Sequence, residues 1–223
     1  MKKPLFRLAV GVAIAASALV PVRLFSQSRD TSVRDPLVTL LLFGGTPRID
    51  PAAYSPEVRA ELQRYLQRYK AYRSTRRHPV IPGFDRPERR GEERMIYAAW
   101  TTYERNLAAV SADPKAPALA KAYLDRLKPC YEWEGFHDCP EREARFAVEY
   151  QEAHPGGPFS EYLPLLAAHR WLCAAESYGY EGQPEGAARS RKEYERMIET
   201  ARRSKDLLVR VAAEKLAQQN TCQ

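Results

Sequence analysis

His169 and Cys173 stand four residues apart in a helical stretch, so both side chains fall on one helix face. A cysteine beside an imidazole can form a thiolate nucleophile, with the ring as its base. Glu176 and Ser177 follow within one turn. A glutamate at the end of an apolar helix can serve as a general acid once burial raises its pKa. A second group of donors lies upstream, where Glu132, Glu134, His137 and Asp138 precede Glu141 and Glu143. These oxygen and nitrogen atoms suit a divalent cation, but their spacing matches neither an EF-hand nor an HExxH helix.

Each chemical reading has a plainer competitor. Cys173 is one of four cysteines, with Cys130, Cys139 and Cys222, all in the C-terminal half. An even set in an oxidising compartment is expected to form two disulfides. The pairing favoured is Cys130–Cys139, closing a short loop, and Cys173–Cys222, pinning the last helix to an earlier one. Two other connectivities remain open. No CxxC or Cys-His finger spacing exists, so no metal site and no cofactor are expected. His169 then reads as a buried ring in a helix seam, and the acids near Cys139 as charges favoured at a helix N-terminus. No catalytic residue is assigned.

Glu176-Ser177 resembles the catalytic glutamate of lytic transglycosylases, but the Gly-Leu-Met-Gln type segment of that family does not follow it. An envelope hydrolase acting on cell-wall or polysaccharide substrates, with Glu176 or a loop acid as general acid, is therefore the second functional reading. A purely structural envelope protein is the third.

The elements that would position these groups are helical. The chain has 223 residues, 44% of them apolar and 28% charged, the composition of a globular protein. Ser55-Pro56 opens the first long helix, with Val58, Leu62, Tyr65, Leu66, Tyr69 and Tyr72 on one face. Ile96, Trp100, Tyr103, Leu107 and Val110 form a second seam, and Ala120, Tyr123, Leu124 and Leu127 a third. A fourth helix opens at Pro140. The fifth, from about 161 to 178, is apolar nearly all round and must be central. The sixth carries Ala187, Tyr194, Ile198 and Ala201, and the seventh starts at Asp206. No segment alternates as a sheet strand does. The expected fold is all-α, with about seven helices in antiparallel hairpins, bundle or repeat-like, stapled by disulfides. One short apolar run, Leu37 to Phe43, can be helix or strand at that length.

Trp171, Ala174, Ala175 and Tyr178, with Ala187 beyond, resemble the tetratricopeptide pattern W-x2-L-G-x2-Y over residues 160–201. Arg191, Tyr194 and Glu199 depart from its second half. His154-Pro155-Gly156-Gly157-Pro158 before the next helix is similar to junctions in periplasmic proteins with such repeats. The resemblance implies a binding scaffold rather than an enzyme.

The N-terminus points to export. Lys2, Lys3 and Arg7 lead an uncharged run from Leu8 to Val22. That run falls short of the ~20 residues of a membrane span and suits a secretory signal over 1–26, cleaved near 18 or 26. An uncleaved anchor is the alternative. An extended leader over 27–50 and one all-helical domain over 51–223 follow. Loss of Met1–Ala18 lowers the formal charge from +7 to +4, too mild an excess to imply nucleic acid as a partner. The expectation is an exported periplasmic or extracellular protein without a stable span, binding a protein or peptide of the envelope. Tyr131, Trp133 and Phe136 in the disulfide loop, with Trp171 and Tyr178 at the groove beside the fifth helix, are the candidate anchors.

Overall fold

Asp35 and Pro36 start a helix that the rest of the chain encloses. The Asp35 carboxylate accepts the amides of Leu37, at 2.9 Å, and Val38, and Pro36 occupies the first turn. The helix, α1 (Pro36–Phe43), buries Leu37, Val38, Leu40, Leu41 and Leu42. It ends at Gly44, whose φ of +69° suits glycine and whose Cα approaches Thr102 so closely that a Cβ would lie 2.6 Å from its methyl carbon.

These features come from a computed structural model that describes residues 35–44, 48–75, 90–128, 130, 135–219 and 221–222. The expected signal segment and the proline-rich stretch after His78 lie outside them. Among the described residues the chain is all-α, with eight helices and no strand. After α1 and a 3-10 turn at Pro51–Ala53 come α2 (Pro56–Ala71), α3 (Arg90–Val110), α4 (Ala116–Leu127), α5 (Asp138–Ala153), α6 (Leu163–Tyr180), α7 (Pro184–Arg202) and α8 (Leu207–Gln219). Seven were expected, and the eighth is α1. Eight residues are too few for periodicity to separate helix from strand, and the Asp-Pro start decides. Asp35 and α1 lie within the stretch read as a leader, and the compact unit runs from Val33 to Gln223.

Consecutive helices pack in two groups, α2–α3–α4 and α5–α6–α7–α8. Helix α1 touches both, through α3 and α8, and α2 also meets α8. A ring of aromatics adds a second bridge, with Tyr123 of α4 edge-on to Phe146 and Tyr150 of α5, each at 4.9 Å. Helix α6 buries all but four of its 18 residues and sits centrally, against α5, α7 and α8.

A helix end in an apolar interior leaves carbonyls that need donors. Here the Leu41 carbonyl accepts from the Tyr162 hydroxyl, at 2.6 Å, and from the Asn106 side-chain amide. The Asn106 oxygen accepts from Tyr65 in turn. Three segments thus meet at one carbonyl, and a fourth joins them through Asn106. A second interior link is ionic: Arg170 of α6 donates to Glu143 of α5 at 2.7 Å, with side chains only 15% and 8% exposed. Glu143 also accepts the Cys130 amide, and Arg170 donates to His169 at 3.0 Å.

Asn106→Leu strands the Tyr65 hydroxyl and removes one donor from Leu41. We expect a loss of about 1–3 kcal/mol in urea unfolding, against under ~0.5 kcal/mol for a surface control such as Lys121→Gln. Glu143→Ala leaves Arg170 buried without its counter-ion and is expected to cost about 3–5 kcal/mol. The double variant Glu143→Leu/Arg170→Met should recover most of that loss, and equal losses in the single and double variants would contradict the ion-pair reading.

Candidate functional site

Helix α5 begins beside a short covalent loop. Cys130 and Cys139 pair across it with Cα atoms 5.8 Å apart, and Cys173 pairs with Cys222 at 4.8 Å. No described cysteine is free. Two such pairs are compatible with an oxidising compartment. Among the described residues no helix is long and apolar enough to cross a membrane.

The first turn of α5 lies over the last turn of α6. The His137 ring stacks on Tyr178 at 3.8 Å, nearly parallel. Its Nδ1 lies 2.8 Å from both carboxylate oxygens of Glu181, and its backbone amide donates to the same carboxylate at 2.9 Å. The hydrogen bonds from His137 hold the Glu181 carboxyl below its ordinary range. Beneath the ring, the Tyr178 hydroxyl donates to Glu141, which Arg145 also grips through Nε at 2.9 Å. Arg189 of α7 donates to the Tyr178 oxygen at 3.3 Å. Burial pushes the Glu141 carboxyl up, but the bonds from Tyr178 and Arg145 outweigh it and leave its pKa lowered. The Tyr178 phenol moves up, through burial and then through the adjacent Glu141 charge.

Tyr178 divides two open depressions. One of about 500 Å³ lies on the α5 side, lined by His137, Asp138, Arg142, Phe146 and Glu149. The other, about 410 Å³, lies on the α7 side, lined by Gln183, Glu185, Gly186 and Arg189. Gly186 is required there, because a Cβ would lie 2.5 Å from the Tyr178 ring. Two large aromatic side chains adjoin clamp residues in sequence and are exposed to solvent: Phe136, 54% exposed and preceding His137, and Tyr180, 88% exposed and preceding Glu181.

The expected contact residues divide between surface, interior and unseen. Phe136 is on the surface. Tyr178 and Trp171 are 5% and 4% exposed; Tyr178 lines both depressions, whereas Trp171 lines neither and lies under Arg145 at 5.5 Å. Tyr131 and Trp133 lie outside the described residues. Tyr180, Glu181, Arg145 and Arg189 went unnoticed because their roles depend on where α5 and α7 dock. Tyr180 carried one readable signal, an aromatic in a glycine-flanked helix end.

The catalytic candidates are engaged elsewhere. Glu176 accepts the Cys222 amide at 2.8 Å, fastening the end of the chain to α6. His169 Nε2 lies 3.2 Å from the Cys222 carbonyl, and Cys173 is tied up in its disulfide. Glu143 of the acidic group points inward to Arg170. No protein-family model, curated protein or solved structure matches this chain.

Because the Glu141 carboxyl is depressed in the folded chain, its stabilisation is present above the ordinary carboxyl range. It is lost as pH falls through the lowered value. In a carbon-detected NMR titration, Tyr178→Phe should move the Glu141 midpoint upward. An unchanged midpoint would show that the Tyr178 bond does not hold it.

Proposed function

We propose that this chain is an exported, non-catalytic helical scaffold that binds a protein or peptide of the cell envelope at the Tyr178 site. The observation that carries the reading is the pair of exposed aromatics, Phe136 and Tyr180, each next in sequence to a member of the His137–Glu181 clamp. Exposed aromatic side chains on an ordered support lose little freedom on binding, which is why they anchor interfaces. The shallow depressions beside them suit side chains of a peptide more than an enclosed small molecule. The resemblance of α6 and the start of α7 to a tetratricopeptide hairpin agrees with a binding role.

Export is supported by the charged-then-apolar N-terminus and by the two cysteine pairs, which persist in oxidising compartments. The non-catalytic part rests on engagement: Glu176 fastens Cys222, and Cys173 carries no thiol.

A photo-crosslinking amino acid placed at position 180, in cells of the source organism, tests the reading. We expect one or a few discrete adducts that disappear with Phe136→Ala, while the helical circular dichroism of that variant is unchanged. A smear independent of Phe136, or no adduct, would contradict the binding site. Hydrolysis of cell-wall polysaccharide by the wild-type chain, abolished in Glu176→Gln, would replace this reading with that of a hydrolase.

A further inference from the structure

The Cys173–Cys222 pair does not sit in a purely apolar setting. His169, one turn before Cys173 on α6, places a ring nitrogen and the two sulfurs within 4.8 Å of one another. All three residues are buried, at 1%, 0% and 3% exposure. Cys173 Sγ lies 3.7 Å from each ring nitrogen. A metal held at about 2.0 Å from nitrogen and about 2.3 Å from sulfur, with an angle near 110–120°, has a nitrogen–sulfur edge of about 3.5–3.7 Å. His169 and Cys173 already have that edge. The i, i+4 spacing on a rigid helix is itself a chelating arrangement.

We infer that, when a dithiol reduces the Cys173–Cys222 bond, His169, Cys173 and Cys222 become a three-coordinate site for a soft monovalent cation, Cu(I). In the reduction the dithiol is oxidised to its own disulfide and two protein thiols form. Cu(I) then replaces the two thiol protons, which pass to solvent, and no further electron is transferred. The second sulfur stays close after the bond breaks. Cys222 is fastened to α6 independently of the ring, by Glu176 on its amide. Opening the sulfurs to the edge of a metal site asks for a separation of about 3.8 Å.

The ring is prepared for the role. Arg170 can only donate, so Nδ1 facing it carries the lone pair, and Nε2 carries the proton given to the Cys222 carbonyl. A ligating imidazole commonly directs its other N–H to a carbonyl in this way. To coordinate, the ring turns about its Cβ–Cγ bond and Arg170 releases Nδ1, keeping its bond to Glu143. Two thiolates and one imidazole in a dry site match the ligand softness and low coordination number of Cu(I), whereas zinc asks for a fourth ligand. The guanidinium of Arg170 also lies next to the negative charge that two thiolates and Cu(I) leave. The third ligand arrives from 49 residues away in sequence, so no spacing motif announces the site.

The test uses the full exported chain carrying C130S and C139S, which leaves one cysteine pair. The protein is reduced with dithiothreitol, desalted without oxygen and titrated with Cu(I) against bathocuproine disulfonate. One copper per chain is expected in the reduced protein and none in the oxidised protein. H169A should weaken binding by at least the roughly 10–100-fold that loss of an outer-shell partner costs. Equal affinity of H169A and its parent would reduce the finding to adventitious thiol binding and overturn the site. No copper competition, preferential displacement of Cu(I) by Zn(II), or loss of helical circular dichroism on reduction would each overturn it too.

Discussion

The Leu41 carbonyl, brought out of water by the burial of α1, sets the constraint on which the interior is organised. Five aliphatic side chains gain about 1.5–3 kcal/mol each from that burial. The gain is realised only if the polar end of the helix is satisfied inside the protein. Asn106 and Tyr162 supply the donors, and Tyr65 completes the cluster from α2. A helix of eight residues thereby fixes where α2, α3 and the start of α6 lie relative to one another. Its other flank rests on α8, so the two groups of helices share one core.

The same logic extends toward the surface. An arginine in the middle of the buried α6 needs a counter-ion, and Glu143 provides it while also holding the Cys130 amide. On its other side Arg170 meets His169, which meets the Cys222 carbonyl. One buried polar chain therefore runs from the first cysteine pair to the second. Its effect on the site is positional: it locks α5 against α6, which brings His137 onto Tyr178 and within reach of Glu181. The mixed charges around Tyr178 are spent largely on one another, leaving the exposed aromatics as the distinctive chemistry of that surface.

Much of the fold was legible in the sequence because its helices carry clear stops and stripes. Ser55-Pro56, Asp206 and the glycine-proline run after His154 mark boundaries through local chemistry, and Leu62, Tyr65, Tyr123 and Leu124 are buried where their periodicity places them. The favoured cysteine pairing also agrees with the structure. What escaped were interior polar groups. Glu104 and Asn106 lie between seam residues of α3, where the seam itself gives no sign of burial, yet both are fully buried. Glu143 read as a surface acid for the same reason. A polar residue's burial depends on a partner distant in sequence, and no local period encodes that partner. Arg170 was the one available signal, since a charge inside an apolar helix requires compensation. The candidate site suffered most, because its members come from the ends of three helices and acquire meaning only when those ends converge.

If one cooperative unit built around α1 positions the Tyr178 surface, α1 must open only when the whole domain does. Native-state hydrogen exchange at the amides of Leu40 to Phe43 measures this directly. The account predicts opening free energies equal to those of the α3 and α8 core amides, with the same dependence on added denaturant. Exchange of the α1 amides at free energies well below the global value, through local opening, would contradict it.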